Sequence, residues 1–326
     1  MQINELRILF LAKFAPNREE DYPLATEKSD GIYAQYHYDV YKILRSLCPN
    51  TVCRRDVKTL LTESDSYDYV FTLLNRDSYR NSEIFVSALL EYLRIPYLGA
   101  RPNIRALAED KHLAKMAAKN AGLETPPWIT IDADATPPQQ QPFKGPYFVK
   151  PRFGASSAYI DESSIASNWE GVIEKVIELQ KHRLDVIIEK FVDGIFYSVP
   201  IYCNENSVVY LPAVKEKSIL KGNVVTYRQK RKLEAGLSRT VNQNKNLEAE
   251  FIRQTNAFID LIKPIDYTRI DFMVTSNRIE FLEFNVCCNL GRQSAFCISA
   301  NSVGLTQRDL ITQILMYSLK RQKLIG

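Results

Sequence analysis

Residues 268–285 read TRIDFMVTSNRIEFLEFN, and this stretch decides the fold. Two apolar segments, 268–274 and 279–285, flank the polar run TSNR, so the pattern predicts two buried strands joined as a hairpin. Polar side chains recur at every second position in each segment: Arg269 and Asp271 in the first, Glu283 and Asn285 in the second. Since side chains on a strand alternate between its faces, a hairpin projects all four into one cleft.

The polar set at this hairpin is typical of a magnesium site. Asp271, Glu283 and Asn285 carry oxygen atoms, and Mg²⁺ takes one or two carboxylates and completes its shell with water and phosphate. A solvated face with one ion pair is the alternative. It is less favoured because the flanking residues are strongly apolar, and charged groups on buried strands need partners.

Positive side chains that suit phosphate lie upstream of the hairpin. Lys150 ends a predicted strand, and the Gly-Ala-Ser-Ser loop at 154–157 follows, where backbone amides can approach an anion closely. Lys111 lies on a predicted helix, and Lys230 lies in a basic segment, 215–236, that predicts a long loop. Taken singly, each of these lysines is equally typical of a solvated surface.

Composition excludes several classes of protein. The 326 residues are 45% apolar and 25% charged, which is globular usage and suggests about two domains. A net charge of +4 is too small to indicate a nucleic-acid partner. Charged residues interrupt every long apolar run, so neither a membrane span nor a signal peptide is expected. The six cysteines indicate free thiols in a cytoplasmic protein.

The order of predicted elements divides the chain in two. Strands at 6–12, 69–74 and 95–99 alternate with helices at 32–47 and 82–93, which indicates a parallel α/β lobe. One helix at 103–121 follows, and the remaining strands and helices are typical of an antiparallel α+β body. The predicted elements of this body are strands at 147–151, 185–191, 197–202 and 208–212, and helices at 168–181, 246–262 and 306–319.

Several stretches, in this order, resemble the ATP-grasp superfamily and specifically its D-alanine–D-alanine ligase branch. They are Tyr97-Leu-Gly-Ala, Glu109-Asp-Lys-His-Leu-Ala-Lys, Phe148-Val-Lys-Pro, Gly154-Ala-Ser-Ser, Val186-Ile-Ile-Glu-Lys-Phe-Val, Tyr227-Arg-Gln-Lys, Arg269-Ile-Asp-Phe and Phe281-Leu-Glu-Phe-Asn. The resemblance implies an α/β N-terminal lobe plus an α+β ATP-grasp body, in which two α+β subdomains clamp ATP. The expected boundaries are 1–102 for the N-terminal (pre-ATP-grasp) lobe, 103–192 for the central subdomain and 193–326 for the C-terminal subdomain with the metal site.

The resemblance also implies site residues. Those expected to bind ATP are Lys111, Lys150, Ser156, Ser157, Glu189, Lys190, Val192 and Lys230. Asp271, Glu283 and Asn285 would hold two Mg²⁺ ions, with Mn²⁺ as a substitute. Arg269, Lys150 and Lys230 would be catalytic, and Arg269, Ser294 and Arg292 would contact substrate. Arg76 and Arg152 are further candidates for substrate anions.

The implied activity is ATP-dependent carboxylate–amine ligation through an acyl phosphate. The chain departs from the family mainly at the substrate end, where the N-terminal Gly-rich loop with its substrate-binding Glu is missing. We therefore predict a non-standard amine acceptor, free or carrier-bound, in biosynthesis. The alternatives are a D-alanine–D-alanine (or D-lactate) ligase of cell-wall synthesis and a non-catalytic nucleotide-binding protein. A homodimer is compatible with the resemblance.

One departure falls at the nucleotide end. Phe196 stands where the family has the glutamate that holds the ribose hydroxyls, and nearby Asp193 is a candidate substitute.

Overall fold

Three β-sheets organise the chain, and each takes its strands from a separate part of the sequence. The computed structural model describes residues 2–16, 31–74, 82–154, 157–204, 207–219 and 236–326. The strands of the three sheets fall within 8–72, 128–190 and 195–285. We therefore propose to keep the expected units 1–102, 103–192 and 193–326, each built around one sheet.

The first sheet is parallel and has the strand order β2-β1-β3. Its elements are β1 (Ile8–Leu11), β2 (Val52–Arg54), β3 (Tyr69–Thr72), α1 (Gly31–Leu47), α2 (Thr59–Thr62) and α3 (Ser82–Tyr92). All four residues of β1 are buried, because Ile8 and Phe10 pack in one core cluster while Leu9 and Leu11 pack in another. A strand buried on both faces is typical of α/β folds, which confirms the predicted lobe.

One prediction for this lobe was wrong, and one strand was missed. The strand expected at 95–99 is only an isolated bridge between Val70 and Tyr97. The short β2 was not predicted, because its sequence Val-Cys-Arg is too brief to show alternation and is stabilised by pairing with β1.

The helix predicted at 103–121 is in fact two helices, α4 (Pro102–Glu109) and α5 (Lys111–Asn120). Asp110 separates them with extended backbone angles, φ −91° and ψ 103°. Its carboxylate caps α5 by accepting from the amides of His112 and Leu113, at 2.9 and 3.4 Å. Capping satisfies amides that have no partner within the helix, so the aspartate favours a new helix start over continuation.

The second sheet is antiparallel, with the order β4-β7-β5-β6. Its elements are β4 (Trp128–Ile131), β5 (Tyr147–Pro151), β6 (Ile165–Ala166), α6 (Trp169–Lys181) and β7 (Val186–Lys190). Helix α6 contributes Val172, Val176 and Leu179 to the core on one face of this sheet. Alternation therefore leaves Phe148 and Lys150 of β5 on the opposite face.

The third sheet is also antiparallel, in the order β11-β10-β8-β12-β13, with β9 paired to β8. Its strands are β8 (Ile195–Cys203), β9 (Val208–Tyr210), β10 (Val214–Ser218), β11 (Leu237–Val241), β12 (Tyr267–Val274) and β13 (Ile279–Asn285). Helices α7 (Lys245–Ile262), α8 (Ala295–Ser302) and α9 (Gln307–Arg321) complete the unit. Phe251 and Phe258 of α7 pack against Phe272 and Phe281 of the sheet, which leaves the other face to the site.

The long loop predicted at 215–236 was wrong at its start, because 214–218 forms strand β10. Here the buried face carries Val214, Glu216 and Ser218, so the usual apolar and polar alternation is hidden because two of the three buried residues are polar. Among the helices that the structure describes, none has the length and apolar character needed to span a membrane.

Candidate active site

A cavity of about 850 Å³ is lined by residues of all three units. The second sheet contributes Phe148, Lys150 and Glu189 to its lining, and the third sheet contributes Arg269, Met273, Leu282, Glu283 and Asn285. Strand ends and loops add Lys190, Val192, Ser157, Arg292 and Ser294. Residues that are far apart in the sequence therefore share one binding space.

The hairpin predicted at 268–285 is present as β12 and β13. Asp271 pairs with Glu283 and Arg269 pairs with Asn285 across the two strands. Residues directly opposite each other on antiparallel strands project from the same face. A register shift beside Asp271 makes Leu282 an extra residue, so Phe281 faces Phe272 in the core while Glu283 still faces the site.

Asp271 is fully buried and is held by three neighbours. Arg269 donates to both of its carboxylate oxygens, at 2.7 and 2.6 Å. Ser198 donates its hydroxyl to the same carboxylate at 2.8 Å, and the Asn285 amide does so at 3.1 Å. Burial raises the pKa of Asp271, and adjacent Glu283 raises it further, whereas Arg269 opposes both effects. The hairpin thus concentrates negative charge and keeps it oriented.

This donor set fits a hard cation. Two neighbouring carboxylates and one amide oxygen match the ligand chemistry of Mg²⁺, which needs few protein ligands when phosphate supplies the others. In the part of the chain that the structure describes, no cluster of three or more His, Cys, Asp or Glu side chains could hold a metal. A site built on Asp271, Glu283 and Asn285 therefore suits a metal that arrives with a phosphate ligand.

The opposite wall of the cavity carries a buried carboxylate between two lysines. Glu189 Oε2 lies 3.0 Å from Lys150 Nζ, and its Oε1 lies 3.1 Å from Lys115 Nζ. Lys115 is completely buried and also donates to the Thr125 hydroxyl at 2.7 Å. Burial alone raises the pKa of Glu189, but the two ammonium groups lower it below its ordinary value. The carboxylate is therefore ionised, and the cluster has one positive charge in excess.

Lys111 enters the cavity from the first turn of α5. Its ammonium donates to the Gly154 carbonyl, and burial lowers its pKa. The break at Asp110 places it there, because Asp110 also receives two bonds from Arg152, at 2.9 and 2.7 Å. The suggestion that Arg152 binds a substrate anion was wrong, since its guanidinium is engaged by Asp110 and does not line the cavity.

An apolar slot lies between the two charged clusters. Phe148 projects from one sheet, while Phe196, Met273 and Leu282 project from the other. The strand that ends at Lys190 closes one end, where the amides of Lys190 and Phe191 donate to the carbonyls of Pro127 and Pro146, both at 2.8 Å. Such a slot has the character expected of a site for a flat aromatic base.

The other end of the cavity is polar and lies beside α8. Ser294 caps this helix, because its hydroxyl accepts from the Cys297 amide at 3.2 Å. Arg292 Nε lies 3.2 Å from a carboxylate oxygen of Asp39 on α1, and Gln35 donates to the same carboxylate at 2.8 Å. The N-terminal lobe and the loop after β13 thus meet at this end.

Some predicted residues lie outside the described part of the chain. These are Lys230, Ser156, Arg76 and the Tyr227-Arg-Gln-Lys stretch. The other residues expected to bind ATP, metal or substrate line the cavity, except Asp271, which pairs with Arg269 and contributes no surface to it. The further candidates Arg152 and Asp193 do not line it.

Sequence reasoning missed three side chains. Lys115 lies four residues after Lys111, one helical turn away on the same face, and that spacing is a signal that could have found it. Glu216 and Arg239 both line the cavity but lie in and beside the stretch predicted to be a loop. Asp193, by contrast, is exposed and does not line the cavity.

Comparison with known proteins identifies the family. The family described as D-ala D-ala ligase C-terminus matches residues 117–316. The D-alanine–D-alanine ligase B of Clostridium perfringens is 28% identical over 240 residues, which are 73% of this chain and 76% of the relative. The D-alanine–D-alanine ligase of Carboxydothermus hydrogenoformans is 27% identical over 277 residues, covering 80% and 85% of the two chains.

A solved structure shows the same fold. The Bacillus anthracis D-alanine–D-alanine ligase complexed with ATP superimposes with a TM-score of 0.72 over 98% of this chain and all of that one, at 18% identity. The predicted fold class is thereby confirmed.

Because the family match covers more than half of the chain and spans Lys150, Glu189 and the β12–β13 hairpin, the activity follows from membership. The interpretation as a non-catalytic nucleotide-binding protein is set aside. The chain belongs to the D-ala D-ala ligase C-terminus family and is an ATP-grasp carbon–nitrogen ligase that uses ATP and Mg²⁺ and forms ADP and phosphate.

Proposed function

We propose that this protein ligates D-alanine to D-alanine, or to D-lactate, in cell-wall synthesis. The relatives it matches are D-alanine–D-alanine ligases, and they favour this alternative over the non-standard acceptor predicted first. One structural observation carries the proposal: a positive cluster around Glu189 and a negative cluster around Asp271 line opposite walls of one cavity. This arrangement suits a nucleotide triphosphate with its metal.

The wall of lysines would hold the nucleotide. Lys111 and Lys150 would contact the phosphates, since both are nearly buried ammonium groups that face the cavity. Glu189 would accept from the adenine amino group, while Lys190 and Val192 would lend backbone groups at the edge of the base. Ser157 also lines the cavity and would add a hydroxyl.

Asp271, Glu283 and Asn285 would hold the metal, with two ions as the proposed number and Mn²⁺ as a substitute. A bound Mg²⁺ neutralises charge on the phosphate oxygens. With Asp271 turned to a metal, the guanidinium of Arg269, which now donates to both Asp271 oxygens, would be available to the reacting carbonyl.

Arg269 would stabilise the tetrahedral species formed when the amine attacks an acyl phosphate. Burial lowers the pKa of Arg269, but Asp271 more than offsets this and raises it, so the guanidinium stays charged at every relevant pH. A positively charged donor at the reacting carbonyl stabilises the negative charge that develops there. Ser294, at the start of α8, would hold the carboxylate of the second amino acid. The catalytic role of Lys230 and the phosphate contact of Ser156 remain predictions.

A second candidate is an acceptor larger or more polar than D-alanine. The observation in its favour is the Asp39–Arg292 ion pair, which places charged groups beside Ser294. An acceptor with a polar side chain, free or carrier-bound, would find partners there.

Product analysis separates the two candidates. The protein would be incubated with ATP, Mg²⁺ and either D-alanine alone or D-alanine with pools of other amines, while ADP release and product mass are measured. We expect ADP release and the D-alanyl-D-alanine mass from D-alanine alone. Turnover only with a second amine would support the other acceptor, and no ADP release with any pool would contradict both. The homodimer and the cytoplasmic location remain predictions.

A further inference from the structure

A row of three side chains crosses the third sheet at the apolar slot. Glu216 of β10 is opposite Phe196 of β8, and Phe196 is opposite Met273 of β12. Opposed residues on antiparallel strands share a face, so all three project toward the cavity, and all three line it. The carboxylate of Glu216 therefore lies at the edge of the slot. It is next to Phe196, which stands where the family has a glutamate.

Glu216 is buried and held in position. Only 5% of its surface is exposed, and its oxygens lie 3.2 and 3.4 Å from nitrogens of Arg239 on the neighbouring strand. Arg239 in turn donates to the Gln293 carbonyl at 3.2 Å. Burying a charged side chain is costly unless it is paired, so this pair is a built feature of the cavity and not a solvated surface contact.

The position of the carboxylate matches one part of a nucleotide. If the base lies in the slot between Phe148 and Leu282 and the phosphates lie at Lys150, the sugar between them would face the third sheet, where this row lines the cavity. The two ribose hydroxyls are hydrogen-bond donors. Each loses the water that accepts its hydrogen bond in solution and finds no new acceptor if the cavity wall is apolar. Phe196 offers no acceptor, and Asp193 is exposed outside the cavity.

We infer that Glu216 accepts hydrogen bonds from the ribose hydroxyls, so that strand β10 supplies the sugar contact that β8 cannot. Arg239 orients the carboxylate and neutralises it when no sugar is bound. The inference rests on the proposed nucleotide site and names the residue that selects a ribonucleotide there.

Deoxynucleotides test the contact directly. Dissociation constants for ATP, 2′-deoxy-ATP and 3′-deoxy-ATP would be measured by calorimetry with Mg²⁺ on three proteins: wild type, Glu216→Gln and the paired change Glu216→Met with Arg239→Met. Hydrogen bonds to charged groups predict that the wild type binds at least one deoxynucleotide about ten- to a hundredfold more weakly than ATP. The preference should shrink in Glu216→Gln and vanish in the paired variant.

The comparison is made between nucleotides within one protein, so a general loss of stability cancels. The paired variant also avoids leaving Arg239 buried without its carboxylate. Asp193→Asn is the matched control, and it should keep the wild-type preference. The inference is overturned if the wild type binds ATP and both deoxynucleotides equally, or if the paired variant keeps the preference. Failure of the wild type to bind any nucleotide would overturn the proposed site itself, which is a different result.

Discussion

The two walls of the cavity use buried charge in opposite ways. On the second sheet, one carboxylate, Glu189, is shared by two ammonium groups, which leaves positive charge in excess. On the hairpin, two carboxylates, Asp271 and Glu283, stand beside the guanidinium of Arg269. We propose that the first wall suits a phosphate chain and the second wall suits its cation.

The difference also bears on the roles proposed for Lys150 and Arg269. Lys150 would be available to a phosphate while Lys115 stays with Glu189, and Arg269 would be available to the reacting carbonyl if a metal were held at Asp271. Removing one partner of a buried ion pair is costly, so a second partner makes such an exchange feasible.

The largest effects are expected from removing the cation that faces the cavity on either wall, which is Lys150 on the second sheet and Arg269 on the hairpin. We expect Lys150→Ala and Arg269→Ala each to lower kcat by about 10²–10³-fold, because each removes a positively charged donor proposed to stabilise the transition state. Lys150→Ala should also raise the Kd for ATP, measured by calorimetry, whereas Arg269→Ala should change it little.

The control for both is Arg253→Ala, which removes an exposed guanidinium from α7, where it pairs with Glu250 on the same helix. That variant should keep the kcat of the wild type. Wild-type turnover in Arg269→Ala would contradict the role given to the hairpin.

An intermediate effect is expected from replacing Lys115, the second lysine that pairs with Glu189. Lys115→Met leaves Glu189 with Lys150 alone and should lower the free energy of unfolding by about 1–3 kcal/mol, the typical cost of a buried polar group that loses a partner. ATP should bind more weakly, because Lys150 is then the remaining counter-ion and is harder to draw away. Chemical denaturation and calorimetry measure the two effects.

Lys119→Met, one turn further along α5 and exposed, is the matched control and should change neither quantity by much. Equal effects of the two substitutions would show that Lys115 has no special part in holding Glu189.

The smallest effect concerns a buried group that is kept neutral. Burial lowers the pKa of His37 to about 3, and its Nδ1 accepts from the Phe14 amide at 3.1 Å. The unfolded chain binds a proton near pH 6.5 while the folded chain does not, so stability falls as the pH drops through that value. We expect a loss of about 1.4 kcal/mol between pH 7.5 and 5.5 from this residue.

Denaturation curves at the two pH values measure this loss, and His37→Gln should remove that part of the pH dependence. If the free energy of unfolding of His37→Gln changed between the two pH values as much as that of the wild type, the pH dependence could not be assigned to His37.

Much of the site could be predicted because its signals are local. Alternation along 268–274 and 279–285 placed Arg269, Asp271, Glu283 and Asn285 on one face, and the structure shows that register. The ordered motifs predicted the ATP-grasp fold, which the comparisons confirm. By contrast, the helix break at Asp110 was missed because a capping aspartate is compatible with either helix end or interior.

Strand β10 shows why other features were hidden. Residues 214–218 contain two lysines and a glutamate, which is typical of a loop. In the fold Glu216 is nevertheless buried, and its charge is balanced by Arg239. Polar residues that serve a site break the apolar pattern by which a strand is recognised.

What could be deduced from the amino-acid order alone was the identity of the charged residues, the face each occupies on its own strand, and the family. The partners were decided by the fold: Lys115 with Glu189, Arg269 with Asp271, and Glu216 with Arg239 beside Phe196. The physical reason is range, since alternation depends on neighbouring residues, whereas these pairings depend on how helices and strands from distant parts of the chain come together.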